Sequence, residues 1–498
     1  MPALEVSARL NPCRVFETVM SQRIVMRQFD CVVIGSGPAG QKAAIQAAKL
    51  GKRVCVVEKN PFLGGAAVNT GTIPSKALRE AVLHLTGATK RGLFGEQSRV
   101  KKRITIDDLI YVSRQVVQHE ISLVREHFDR NQIELTWGEA RFESPKGILI
   151  VRDGETDQIC AEKFFIASGT RPAMPDSVPF DNKTVFTSDG LIKIGQLPKS
   201  MIVVGGGVIG TEYACIMAAL DVKVTLIEGR NEVLGFLDRE ISEALMYQMR
   251  RAGITLRLGE KVSRIEKAKP IAGAAENGGG EPLVQAVLES GKVIRAQTLL
   301  YAVGRQGTTG ALQLDKAGLA ADDRERLQVD ASYRTKVEHI YAVGDVIGFP
   351  ALASTAMEQG RLAACHAYGV TTCSIPELFP YGVYAIPEIS MVGKTEDQLT
   401  KAGIPYEAGI AQYKELARGQ LLGDEDGMLK LLIHQETREI LGVHAIGTGA
   451  TELIHIGQAV MAYKGTVEFF INNVFNYPTL AEAYKVAALN GLNKIRNI

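Results

Sequence analysis

The chain has no closely spaced pair of cysteines. Its seven cysteines, at positions 13, 31, 55, 160, 215, 365 and 373, are scattered and odd in number. That argues against a disulfide framework or a zinc site, and no metal is expected. Also missing is any uncharged apolar stretch near the roughly 18 residues that a membrane span requires, so no membrane partner is expected. An excess of charge of either sign is nearly absent: 57 Lys and Arg face 55 Asp and Glu, a formal balance of +2, which gives no general electrostatic reason to expect nucleic acid. The basic run from Lys90 to Arg103 is a local exception, read as a solvated loop before a helix. Residues 1–28 carry Arg9, Arg14, Arg23 and Arg27 without an unbroken apolar core, so they do not make a secretory signal. They read as a disordered extension, or as sequence upstream of a start at Met20 or Met26. A reducing cytoplasm is the default compartment.

What is present is glycine, 50 residues of it in 498, which suits many tight strand-to-helix turns. A chain of this length needs about three packed units. An apolar strand, Phe29 to Ile34, runs into Gly35-x-Gly37-x-x-Gly40 and an Ala-rich helix from Pro38 to Leu50. A second strand, Arg53 to Val57, ends on Glu58. This is a dinucleotide-binding unit: the first glycine makes the turn, the second lets backbone approach a pyrophosphate, and the third lets helix meet strand. Glu58 is placed to accept ribose hydroxyls. The pattern then recurs. Met201 to Val204 leads into Gly205-x-Gly207-x-x-Gly210 and a helix to Leu220, and Lys223 to Ile227 ends on Glu228, with Arg230 two residues on. Each acid follows its first glycine by 23 positions. Two intact units imply two dinucleotides in one chain.

Between the units, Pro74 to Leu85 reads as a helix, and Thr105 caps a long one carrying Leu109, Val112, Val116, Ile121, Val124 and Phe128 near helical spacing. Leu135 to Phe165 reads as a β-meander. Ile166 to Pro172, with Gly169, and Leu299 to Arg305, with Gly304, echo each other as two crossings between domains. Ala268 to Glu281 resembles a surface insertion. Strands at Met428 to His434 and Gly442 to Ile446 alternate with a helix at Thr451 to Lys464.

These motifs, in this order, resemble the flavoprotein family of dihydrolipoamide dehydrogenase and glutathione reductase from about Arg27 onward. The resemblance implies an α/β fold of two Rossmann-like dinucleotide-binding domains plus a C-terminal α+β dimerisation domain. The implied divisions are an extension (1–28), an FAD-binding domain (29–172), an NAD(P)-binding domain (173–303), a return segment completing the FAD domain (304–376) and an interface domain (377–498). It implies non-covalent FAD, NAD(H) and NADP(H) as substrates, and a homodimer or higher oligomer. Ile340 to Asp345 resembles the strand end that places an aspartate on the flavin's ribityl chain. It precedes a helix, Ala353 to Ala364, whose N-terminal dipole the family directs at the flavin. Lys76 and Glu212 resemble the family's buried ion pair beside the reacting atoms.

Two departures decide what kind of member this is. Gly64 to Lys76 resembles the segment that carries the family's redox disulfide, but Ala67 and Thr72 stand where its two cysteines would be. Phe475 to Glu482 resembles the segment that supplies a His-Glu pair to the partner subunit, but Tyr477 replaces the histidine ahead of Glu482. Without sulfur there is no thiol relay, and a phenol with a pKa near ~10 is a poor base for a dithiol. Hydride exchange between nicotinamides needs neither. The pattern is most similar to that of soluble flavin-containing pyridine nucleotide transhydrogenases, although Ala67 departs even there. It implies ping-pong hydride transfer from NADPH to NAD⁺ through FAD, with Lys76, Glu212, Thr72, Tyr477 and Glu482 about the reacting centre. A diaphorase or quinone reductase, and an idle nucleotide sensor, are the alternatives.

Overall fold

The computed structural model describes residues 27–87, 93, 99–101, 104–268, 283–372 and 378–496. Most of the N-terminal extension, much of the basic run and nearly all of the Gly/Ala-rich insertion lie outside the described residues. The described cations of the basic run are paired, Arg99 with Asp221 at 2.8 Å and Lys101 with Asp108 at 2.7 Å.

The first unit is built on strand β1 (Arg27–Ile34), helix α1 (Pro38–Lys49) and strand β2 (Val54–Glu58). β1 starts inside the segment assigned to a disordered extension. Arg27 is held there by ladder pairing with Ile159 and by ion pairs with Glu134 and Asp157. Two short-range helices follow, α2 (Gly65–Asn69) and α3 (Thr72–Thr86), then the long α4 (Ile106–Arg130). α3 begins two residues before Pro74, because Gly71 breaks the chain between the helices at φ −119° and ψ −104°. α4 carries the expected Thr105 cap, completed as a reciprocal capping box by Asp108. Leu109, Val124 and Phe128 are buried, whereas Tyr111, Val112 and Val116 stand exposed. A helix of 25 residues spans about 37 Å.

Strands β3 (Glu134–Trp137), β4 (Glu139–Ser144), β5 (Gly147–Arg152) and β6 (Glu155–Ile166) complete a sheet of order β3-β2-β1-β6-β5-β4. The strands from β3 to β6 through β1 are parallel, and the β4–β5–β6 meander is antiparallel. The buried apolar runs Cys31–Ile34 of β1 and Val54–Val57 of β2 fit a parallel sheet covered on both faces. β7 (Thr170–Pro172) leads out.

The second unit holds β8 (Val185–Phe186), α5 (Ser188–Leu191), β9 (Ser200–Val204), α6 (Val208–Ala219), β10 (Lys223–Glu228), α7 (Arg239–Arg251) and β11 (Thr255–Leu258). β12 (Val262–Ala268), β13 (Leu283–Leu288) and β14 (Val293–Ala296) form a three-stranded antiparallel sheet over it, and β15 (Thr298–Tyr301) closes the parallel order β11-β10-β9-β15-β8. β16 (Arg305–Gly307) pairs with β7, so the two echoing crossings lie side by side. β17 (Ile340–Ala342) then returns to β6 of the first sheet, and α8 (Ala353–Ala367) packs against α1.

The third unit is a five-stranded sheet of order β18-β19-β22-β21-β20. Its strands are β18 (Tyr381–Val383), β19 (Ile389–Gly393), β20 (Tyr406–Gln412), β21 (Met428–His434) and β22 (Ile440–Ile446). Helices α9 (Glu396–Lys401), α10 (Ala417–Leu422), α11 (Ala450–Ala462), α12 (Glu468–Asn472) and α13 (Glu482–Arg496) accompany it. One apolar core joins all three units: Met201, Ala214, Leu226 and Leu300 of the second pack with Ala81, Val82 and Leu109 of the first and Val383, Ala385 and Ile389 of the third.

Candidate functional site

The two glycine motifs fold alike. Gly35 and Gly205 turn at φ +106° and +107°, and an added Cβ would strike the carbonyls of Ala167 and Ala302 at 2.4 and 2.6 Å. A Cβ on Gly40 or Gly210 would stand 1.9 Å from the carbonyl of the first glycine, so these helices start directly on their strands. At the middle glycines the surroundings open instead. Gly37 would meet only the Cα of Gly65, at 3.9 Å, and Gly207 would meet nothing within 4 Å. Neither α1 nor α6 has a side-chain cap, so the amides of both first turns face these open cradles. That is a fit for a pyrophosphate in each.

The acids at the strand ends differ in their partners. Glu58 accepts from the Ser36 backbone (3.0 Å) and hydroxyl (2.7 Å) and from Asn60, all neutral donors. A cavity of about 660 Å³ lined by Lys59, Asn60, Trp137 and Gly138 opens beside it. Glu228 accepts from Gly206 N–H at 2.6 Å and from Arg230, whose Nε lies 3.0 Å from one carboxylate oxygen. Burial alone would raise the Glu228 carboxyl, but the Arg230 and Gly206 hydrogen bonds hold it below its usual range. Among the described residues, only the acid of the second unit forms an ion pair.

Between the two units, Lys76 of α3 and Glu212 of α6 meet: Nζ lies 2.7 and 2.9 Å from the two carboxylate oxygens. Glu212 is nearly sealed, its side chain 5% exposed against 24% for Lys76. The third unit holds the pair in place. Tyr384 donates its backbone N–H to Glu212 Oε1 at 2.8 Å, and its ring centroid lies 5.0 Å from Lys76 Nζ. The turn bearing Tyr384 is anchored in its turn by buried Arg79, which donates to the Ala385 carbonyl at 3.0 Å and pairs with Glu388 at 3.3 Å. Thr72 stands exposed at the start of α3, one turn before Lys76, and Ala67 sits in α2.

A polar relay joins the crossings. Asp345 accepts from Thr170 Oγ1 at 3.1 Å, Arg305 Nε donates to the same hydroxyl at 2.8 Å, and Arg305 also reaches Asp189, which accepts from Thr70. Gly169 and Gly304, both at positive φ, immediately precede Thr170 and Arg305 and set the two crossings. Thr170, Arg305, Asp189, Arg79 and Tyr384 are the side chains that motif reading did not single out. For the first two, the echo between the crossings was an available signal; the others make their contacts to the other units across long stretches of sequence.

Tyr477 and Glu482 are not brought to the Lys76–Glu212 pair within the chain. Tyr477 is 74% exposed, and a Glu482 oxygen accepts the N–H of nearby Thr479 at 3.4 Å. Among the described residues the five thiols are free and none is exposed. Burial pushes the Cys55 and Cys215 thiols up to about 11, and Cys31 is raised by the same cause. Among the described residues one carboxylate group, Asp238, Glu240 and Glu396, is close enough to hold an ion. Lys430 already fills it: its Nζ lies 2.8 Å from each acid, with the side chain fully buried. No described helix is long and apolar enough to cross a membrane.

The family description of the pyridine nucleotide-disulphide oxidoreductases matches residues 29–360, and that of their dimerisation domain matches residues 379–488. The chain is similar to the soluble pyridine nucleotide transhydrogenase of Mycobacterium tuberculosis strain ATCC 25177 / H37Ra, with 52% identity over 473 residues, or 95% of this chain and 98% of the relative. The protein of that name from Enterobacter sp. strain 638 is 45% identical over 472 residues, covering 94% and 98%. Among solved structures, the HOCl-induced flavoprotein disulfide reductase RclA from Escherichia coli superposes with a TM-score of 0.79 at 26% identity, over 92% of this chain and 99% of that one. LpdA from M. tuberculosis shares the fold at a TM-score of 0.83 and 24% identity, over 93% and 99%.

Proposed function

The chain belongs to the pyridine nucleotide-disulphide oxidoreductase family, and from that membership we propose that it is a flavin-dependent transhydrogenase moving hydride reversibly between NADPH and NAD⁺. The observation that carries this reading is the Lys76–Glu212 pair, which joins two complete nucleotide units at a place where Ala67 and Thr72 leave no thiol. FAD belongs to the first unit, with its pyrophosphate at Gly37, its ribose at Glu58 and its ribityl chain at Asp345. NAD(H) and NADP(H) take turns on the second, in a ping-pong sequence. Bound FAD supplies a two-electron carrier able to accept hydride from one nicotinamide and return it to the other.

The protein's part is alignment and electrostatics. Lys76 places its ammonium at the junction, where it favours added electron density, and Glu212 of the second unit fixes its direction through both carboxylate oxygens. Tyr384 excludes water from the far side of the ammonium. Asp345, Thr170 and Arg305 hold the crossings, so the two nucleotide units keep one separation. Arg230 can turn from Glu228 toward a 2′-phosphate, letting one ribose pocket serve both nucleotides. The chain acts as a homodimer through residues 377–498, with Tyr477 and Glu482 reaching the partner's site, and works in the cytoplasm without nucleic acid or membrane.

The test is anaerobic reduction of the yellow protein by NADPH, followed by NAD⁺ and by a quinone in separate mixings. Rapid reoxidation by NAD⁺ supports the transhydrogenase. Reoxidation by quinone alone would make it a quinone reductase, and a flavin that NADPH fails to bleach would make it a nucleotide sensor.

A further inference from the structure

The ribose corner of the second unit holds a cation outside the glycine motif. Lys261 lies in the segment between β11 and β12, and a Cβ on Gly229 would stand 3.2 Å from its Cγ and 3.8 Å from its Cε. The lysine's alkyl chain therefore crosses the backbone between Glu228 and Arg230. Its own backbone is fixed there: Glu289 N–H donates to the Lys261 carbonyl at 2.9 Å, Glu260 N–H to the Glu228 carbonyl at 3.2 Å and Gly259 N–H to the Arg230 carbonyl at 2.8 Å. The adjacent acid, Glu260, is taken by Lys292, and Glu228 by Arg230. Among the described residues no carboxylate forms an ion pair with Lys261.

Charge counting shows what this cation is for. A phosphate monoester brings about −1.5 to −2 at neutral pH. Glu228 adds one negative charge, and Arg230 cancels only one. A 2′-phosphate placed here with Arg230 alone would leave the corner strongly negative. We infer that Lys261 is a specificity-determining residue that contacts the 2′-phosphate of NADP(H) alongside Arg230, offsetting the charge of Glu228 when Arg230 turns from it. Gly229 is part of the device, because any side chain there would press on the lysine's stem. With NAD(H) the lysine has no phosphate to meet and contributes little, so one residue biases the pocket without closing it to either nucleotide. This rests on the reading of the second unit as a site for both.

The test is calorimetric titration of the FAD-loaded protein with 2′,5′-ADP and with ADP, fragments that differ in the 2′-phosphate and need no turnover. Lys261→Met should weaken 2′,5′-ADP about tenfold, a loss of about 1.4 kcal/mol, and leave ADP within about twofold; Lys261→Arg should restore most of the loss. Parent protein that discriminates between the fragments while Lys261→Met discriminates equally well overturns the role of Lys261 alone. Equal losses for both fragments would also overturn it, since they report a structural role. Parent protein that binds ADP but not 2′,5′-ADP overturns the two-nucleotide reading, and this inference with it.

Discussion

Replacing Lys76 with methionine tests the junction between the two nucleotide units most directly. The substitution keeps the stem and removes the ammonium that lies 2.7 and 2.9 Å from the Glu212 oxygens. Glu212, with 5% of its side chain exposed, then keeps one described donor, the Tyr384 N–H at 2.8 Å. Stripping one partner from a buried ion pair costs about 3–5 kcal/mol. Lys76 is about a quarter exposed, so water can partly replace it, and the lower end, about 3 kcal/mol, applies. Glu212→Leu alone should cost a similar amount, because it orphans the Tyr384 N–H, worth about 1–3 kcal/mol, and leaves Lys76 without its acid. The two charges fail together, so the double variant should lose little more than either single one, a coupling of about 3 kcal/mol at the top of the usual range. Thermal midpoints of the FAD-loaded proteins measure this, and about 1 °C per kcal/mol for a chain of 498 residues puts each single variant about 3 °C below the parent. A second readout separates function from packing. If the ammonium favours electron density at the junction by about 1.4 kcal/mol, Lys76→Met lowers the flavin's two-electron midpoint potential by about 30 mV. Additive losses in the double variant, or an unchanged potential in Lys76→Met, would refute the reasoning.

Gly37→Val should yield colourless protein, since its side chain would enter the open cradle facing Gly65, and stoichiometric FAD in that variant would sink the assignment of the first site. Reduction should show no long-wavelength thiolate–flavin band, and cysteines restored at Ala67 and Thr72 should not confer lipoamide reduction while Tyr477 remains; lipoamide turnover by the parent protein is the contrary result. Arg230→Ala should weaken NADP(H) by about 1.5 kcal/mol, the lower end for a charged hydrogen bond, because in the free protein the guanidinium must first leave Glu228; equal losses for NAD(H) in stopped-flow half-reactions would show that it does not read the phosphate. His444, its pKa pushed down by burial to about 4, makes the unfolded chain bind the proton more readily, so its contribution is complete above about pH 6.5 and is lost as pH falls toward 4. That amounts to on the order of 3 kcal/mol, and urea midpoints at pH 7 and pH 5 should converge in His444→Leu relative to the parent.

The glycine motifs were legible because each does a local job that a side chain would prevent: 1.9 Å between a Cβ on Gly40 and the Gly35 carbonyl leaves no alternative residue. Strand bounds were legible to within a residue or two for the same local reason, since apolar runs such as Val54–Glu58 end at turn signals. The long α4 was read correctly at its cap but not along its face, because helical spacing marks Val112 and Val116 as apolar without saying what covers them. What sequence could not show is the clamp from the third unit. Tyr384 lies 172 positions from Glu212 and Arg79 lies 306 from Ala385, and no motif links residues so far apart.

That clamp bears on why a fold built for dithiol chemistry can lose its sulfur and keep a working junction. The thiols in such an enzyme would sit at positions 67 and 72, on α2 and the start of α3. The Lys76–Glu212 pair is held from another direction, by the Tyr384 N–H on one oxygen and the Tyr384 ring over the ammonium. Arg79, the residue that anchors the Tyr384 turn, lies two turns along α3 from position 72, buried against Ala385 and Glu388. Among the described residues neither the Ala67 nor the Thr72 side chain hydrogen-bonds to Lys76 or Glu212, so replacing cysteine there takes no hydrogen bond from the pair. The charge proposed to favour electrons at the junction and the sulfur that would pass them on thus belong to side chains that do not bond each other, which is how the proposed hydride exchange can do without the relay.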